Sequence, residues 1–145
     1  MITGKTVRLE LSVDSNHQWF VTMWVTLQGR KQEVRFKVDT GCNALVLSHG
    51  TLRRLGLSVS ESDLAKLQSI TGKHADGEKS NYKSLGEVSL FSHNSQVGHI
   101  CNVPAICHAT RKTNDLIGTA VLKQFCKVDF NLTDDKYMQL HTRTV

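Results

Sequence analysis

Asp39-Thr40-Gly41 ends a stretch in which Val34, Phe36 and Val38 alternate with charged side chains. A carboxylate at the end of a buried apolar strand is costly to hold unless partners satisfy it, so such an aspartate usually has a task, acid–base chemistry among them. The triplet alone is weak. Asp-[Thr/Ser]-Gly arises by accident in roughly one chain in fifteen of this length, and as a plain turn Asp39 would cap a loop while Gly41 supplied a positive φ. The setting adds weight. An apolar β-hairpin precedes the triplet, a short apolar strand and a helix follow it, and about 80 residues further on Leu116-Ile117-Gly118 opens another helix.

Other combinations carry less. His99, Cys101, Cys107 and His108 could be grouped as metal ligands, but their spacing fits no zinc pattern and alternating strand positions explain it better, so no metal site is expected. Asn131-Leu132-Thr133 fits a glycosylation sequon within an expected turn. No phosphate-cradling glycine loop, His-Glu-x-x-His or Gly-x-Ser-x-Gly occurs, and nothing calls for a cofactor.

The elements that must position Asp39 read mainly with period two. Val7, Leu9, Leu11 and Val13 alternate with polar residues, and Trp19, Val21, Met23, Val25 and Leu27 alternate again, with Phe20 and Trp24 making the second face apolar. Trp19, Phe20 and Trp24 read as core and not as a base-stacking platform. Gln28-Gly29-Arg30-Lys31 is a turn, and Val34, Phe36 and Val38 form the return strand. After Leu45-Val46-Leu47, Ser48 is a plausible N-cap for a short helix that buries Leu52 and Leu55 and ends at Gly56. A further helical turn is expected after Ser60. Residues 69–85 are polar and read as an exposed excursion, and strands resume at 87–91, 97–103 and 105–107. Thr119 is a possible N-cap for a helix carrying Val121, Leu122 and Phe125. A hairpin, 128–130 with 137–140 around a polar turn, closes the chain. The class is all-β with one or two short helices. A single chain leaves sheet edges uncovered, and pairing with a second chain is a natural way to finish them.

With 145 residues, 39% of them hydrophobic and 21% charged, the chain has the size and make-up of one globular domain, taken as residues 1–145. No apolar run nears the roughly 18 residues of a membrane span, and no membrane partner is expected. The net charge of +5 is scattered, as on a mildly basic surface, so a nucleic-acid partner is not expected either. The four cysteines are too sparse for a disulfide scaffold. The start of the chain does not read as a signal peptide, so reduced thiols in an intracellular compartment, the cytoplasm, are expected.

Two segments carry a family resemblance. Phe36-Lys37-Val38-Asp39-Thr40-Gly41-Cys42-Asn43-Ala44-Leu45-Val46-Leu47-Ser48 resembles the catalytic segment of the retropepsin-like aspartic proteases, and Asp115-Leu116-Ile117-Gly118-Thr119-Ala120-Val121-Leu122 resembles their closing segment. These are the single-domain proteases of retroviruses, retrotransposons and their cellular relatives. The resemblance covers about residues 19–140 and implies the retropepsin-like acid protease fold, with the active site at a homodimer interface. Aspartic proteolysis needs two carboxylates sharing one proton, because like charges about 3 Å apart cannot both ionise. The chain holds a single Asp-Thr-Gly, so Asp39 would meet its symmetry mate across a two-fold axis.

The resemblance further implies that Thr40 reaches across that axis and that the Gly41 N–H bonds the carboxylate. Leu116 and Ile117 would back the loop, and Gly118 would permit close backbone approach. Residues 69–85 would be the flap, with Ile70, Thr71, Gly72, Gly77 and the closing segment meeting a polypeptide substrate. Chain ends, residues 7–13 and 137–140, would interleave between subunits. This chain departs from the pattern in three places. Cys42 stands where alanine or serine is usual, Thr119-Ala120 replaces an arginine that often braces viral dimers, and the flap is poorer in glycine. The expected function is a homodimeric aspartic endopeptidase. The alternative is a catalytically silent domain of the same fold, kept for dimerisation or peptide binding.

Overall fold

The computed structural model describes residues 6–73, 77–92 and 98–142. Ten strands and three short helices follow in the order β1 (Thr6–Val13), β2 (Trp19–Leu27), β3 (Arg30–Val38), β4 (Leu45–Val46), α1 (His49–Arg54), α2 (Glu61–Ala65), β5 (Ser69–Lys73), β6 (Lys79–Phe91), β7 (His99–His108), β8 (Leu116–Ile117), α3 (Thr119–Leu122), β9 (Lys127–Asn131) and β10 (Tyr137–His141). The all-β class read from the periodicity is the observed one.

Six strands close a barrel. β2 pairs with β3, β3 with β8, β8 with β4, β4 with β7, β7 with β6, and β6 returns to β2. Alternation fills the interior: Val21, Met23 and Val25 of β2 are fully buried with Phe36 of β3, Leu90 of β6 and Val103 and Ala105 of β7. Such burial stabilises by roughly 25 cal/mol per Å² of apolar surface removed from water.

Several details depart from the expectations. Residues 69–73 and 79–91 are strands, so much of the polar stretch 69–85 is sheet and not loop, and the strands expected at 97–103 and 105–107 are one, 99–108. Phe20 and Trp24 are only half-buried and lie outside the core cluster. They point away from Val21 and Met23, and cations cover them instead: the Arg35 guanidinium lies 3.8 Å from the Phe20 ring centre and the Lys31 ammonium 4.9 Å from that of Trp24. Trp19 does pack against the core, with its ring 5.1 Å from that of Phe130.

Ser48 caps α1 as read, its Oγ accepting from the Thr51 N–H at 3.1 Å, and Ser60 caps α2 in the same way at 3.3 Å. α3 instead starts one residue earlier than expected, with Gly118 at its N-cap and no side-chain cap bond. Thr119 is already inside the helix.

The chain ends form a smaller antiparallel sheet in which β1 pairs with β10 and β10 with β9. β10 therefore has a strand on each side within its own chain. It has no edge to offer a partner, contrary to the interleaving expected of residues 137–140. Among the described residues, β9 and β5 are the two ends of the strand order.

Candidate active site

β3 carries Asp39 out of the barrel and β4 brings the chain back, and between these arms lies β8. Lys37 and Val38 pair in parallel with Leu116 and Ile117, while Leu45 and Val46 pair with the same two residues antiparallel. The loop from Asp39 to Ala44 is thus stitched to the closing segment. The Asp39 N–H donates to the Ile117 carbonyl at 3.0 Å, the Thr119 N–H to the Cys42 carbonyl at 2.9 Å, and the Ala120 N–H to the Asn43 carbonyl at 2.8 Å. Two parts of the chain far apart in sequence make one rigid support.

Within the loop, the Gly41 N–H donates to Asp39 Oδ1 at 3.0 Å and the Cys42 N–H to the Asp39 carbonyl at 3.1 Å. Asp39 is half-buried, Thr40 and Gly41 are exposed, and Gly118 is buried. A Cβ on Gly118 would collide with the Cys42 carbonyl and lie 2.7 Å from the Ala44 oxygen, so no side chain fits there.

A cleft of about 230 Å³ opens on Asp39. Asp39, Gly41 and Cys42 form one side of it, and Val46, Ile106 and Leu116 supply apolar walls. Gly72 and Tyr82, from the hairpin of β5 and β6, line it as well. A larger hollow of about 610 Å³ lies between β1 and the turn before β10. There the Arg8 guanidinium stacks 3.7 Å from the Tyr137 ring centre, among charges of both signs, and Asp39 is absent.

The residues singled out from sequence thus fall in three groups. Asp39, Gly41, Gly72 and Leu116 line the cleft, with Thr40 exposed on the same loop. Ile117 and Gly118 stand behind the loop, Ile117 wholly buried in the core. On the hairpin, Ile70 is 38% exposed and directly opposite Tyr82, so the two share a face. Thr71 alternates to the other face, and Gly77 lies beyond β5 towards the tip, away from the cleft lining. The rest of the expected tip, residues 74–76, is outside the described residues.

Neither Tyr82 nor a role for Asp115 was read from the sequence. Asp115 ties α1 to the loop before β8: its Oδ1 accepts from the Ser48 N–H at 2.7 Å and its Oδ2 from the hydroxyl of the fully buried Thr51 at 2.9 Å. An acid directly before an apolar pair was the available signal.

His99, Cys101, Cys107 and His108 do not converge on a metal-binding arrangement among the described residues. The His99 Nε2 meets Asn102 Oδ1 at 2.8 Å, and His108 Nδ1 accepts from the backbone N–H groups of Thr110 and Arg111. All four cysteines are free. Burial pushes the Cys42 thiol above its ordinary value, and the neighbouring Asp39 charge raises it further. Burial alone takes Cys101 up to about 11, and also raises Cys107. A raised value leaves less thiolate at neutral pH, so iodoacetamide is expected to modify the exposed Cys126 first and Cys42 much later. Cys101 and Cys107 should react only on unfolding. Mass-spectrometric mapping of a time course checks this order; rapid loss of the Cys42 thiol would contradict it.

The sequence profile of the family described as aspartyl protease matches residues 23–97, which take in the latter part of β2, β3, the Asp39 loop and the hairpin. The chain belongs to the aspartyl protease family. For this family member, a retropepsin-like aspartic protease from Rickettsia conorii gives a structural match with a TM-score of 0.61. That match covers 98% of this chain and 96% of the other at 17% identity, which establishes a shared retropepsin-like fold. Among curated proteins none matches significantly. No helix among the described residues is long and apolar enough to cross a membrane.

Proposed function

We propose that the chain is an aspartic endopeptidase that works as a homodimer, with Asp39 of each copy forming one shared site. The observation that carries this reading is the placement of Asp39. It sits on a loop braced by β8 and opens on a cleft that Gly72 and Tyr82 of the β5–β6 hairpin also line. One chain supplies one such carboxylate, and the chemistry needs two.

Across the two-fold axis the two carboxyl groups would share a proton. The ionised one takes a proton from water as it attacks the peptide carbonyl, and the protonated one stabilises the developing oxyanion and then protonates the leaving nitrogen. The Gly41 N–H holds the Asp39 carboxylate in place. Thr40 would tie the two loops together, and the hairpin would close over an extended polypeptide as a flap, excluding water. Ile70, on the hairpin face shared with Tyr82, would add apolar contact with the substrate.

Dilution tests the reading. Specific activity on an unstructured polypeptide is expected to fall with enzyme concentration in step with the dimer fraction measured by sedimentation, and a statine-type transition-state mimic should abolish it. Activity that persists in a strictly monomeric population would overturn the shared site. A stable dimer with no hydrolysis would leave the silent binding module as the correct reading.

A further inference from the structure

Tyr82 is held on three sides. Its direct partners are Ile70 on β5 and His108 on β7. Its ring lies where a side chain at position 72 would otherwise be: a Cβ on Gly72 would come within 2.7 Å of Tyr82 Cε2. The His108 imidazole meets it edge-on, with ring centres 5.3 Å apart at 70°. That imidazole is itself fixed, because Nδ1 accepts from the N–H groups of Thr110 at 3.1 Å and Arg111 at 2.9 Å. The ring so placed, packed over Gly72 and against His108, faces the Asp39 cleft.

One wall of the pocket is apolar. Ala44, Val46, Ile106 and Leu116 supply it, beside the polar side chain of Asn43, and among the described residues the only charged lining group is Asp39 itself. At about 230 Å³ the cleft lies below the roughly 300–1,000 Å³ of drug-sized sites, and Tyr82 takes up part of its wall, so the ring bounds the side chain that can enter. We propose that Tyr82 sets substrate specificity, its ring limiting the size of the apolar side chain that can sit beside the scissile bond. This rests on the proteolytic reading above.

The test compares two peptides that differ only in leucine or tryptophan next to the cleaved bond, with wild type, Tyr82→Phe and Tyr82→Ala. Wild type and Tyr82→Phe are expected to prefer leucine alike, since both keep the ring. Tyr82→Ala should move the ratio of kcat/KM values towards tryptophan by at least about tenfold, the scale on which pocket size discriminates. If Tyr82→Ala fails to fold, Tyr82→Val, which keeps strand propensity, takes its place. A parallel fall for both peptides with an unchanged ratio is what a merely structural role predicts, and it would overturn the proposal. So would a shift of the same size in Tyr82→Phe.

Binding of the same peptides to Asp39→Asn, with and without the Tyr82 change, separates this proposal from the one it rests on. Size-selective binding that Tyr82→Ala relaxes, without hydrolysis by wild type, sustains the role of Tyr82 and refutes the protease. Hydrolysis with a fixed ratio refutes the role alone, and neither binding nor hydrolysis refutes both.

Discussion

Asp39→Asn is expected to lower peptide hydrolysis by at least about a thousandfold while moving the melting temperature by no more than a few degrees. The amide oxygen of asparagine can still accept the Gly41 N–H that now reaches Oδ1 at 3.0 Å, and the backbone bonds of Asp39 to Ile117 and Cys42 do not involve the side chain. The support should therefore survive. What is lost is the capacity to hold and release a proton, which positioned acid–base groups convert into roughly 10²–10⁴ in rate. In the proposed dimer both carboxylates would be lost together, so the effect should lie towards the upper end of that range. Initial rates paired with thermal unfolding make the comparison. Retention of more than a tenth of the wild-type rate would remove Asp39 from the chemistry. A collapse of the melting temperature would instead make it a structural acid.

Gly118→Ala should act in the opposite order, on stability first. The new Cβ would run into the Cys42 carbonyl, and that carbonyl cannot step back without losing the bond it accepts from Thr119 at 2.9 Å. Overpacking at such a point costs about 3 kcal/mol, or about 10 °C in melting temperature for a chain of this size. Activity should fall as well, because the displaced atoms belong to the loop that carries Asp39. An alanine variant as stable as wild type would mean that the stitching between the two segments is loose. Full activity in a destabilised variant would separate the loop's geometry from its support.

Much of the scaffold was legible because it follows local rules. Strict alternation in β2 and β3 marked the buried face, and the serines at 48 and 60 cap the helices they precede. Alternation misled at Phe20 and Trp24. Apolar character on both faces of a strand suggests a buried strand, yet here the second face is closed by the long side chains of Arg35 and Lys31 from the neighbouring strand. Thr119 misled as a cap because a glycine, forced by close packing, already holds the N-cap position.

What the order of residues determined unaided was a β-rich domain in which Asp39-Thr40-Gly41 ends an apolar strand and Leu116-Ile117-Gly118 opens a short helix, since such patterns depend on near neighbours alone. Which groups meet was decided only by folding. Strand register set Tyr82 against Gly72 and His108, and the barrel brought Asp115 to the N–H of Ser48. Contacts between residues distant in sequence depend on how strands align and close upon one another, and no local period encodes that alignment.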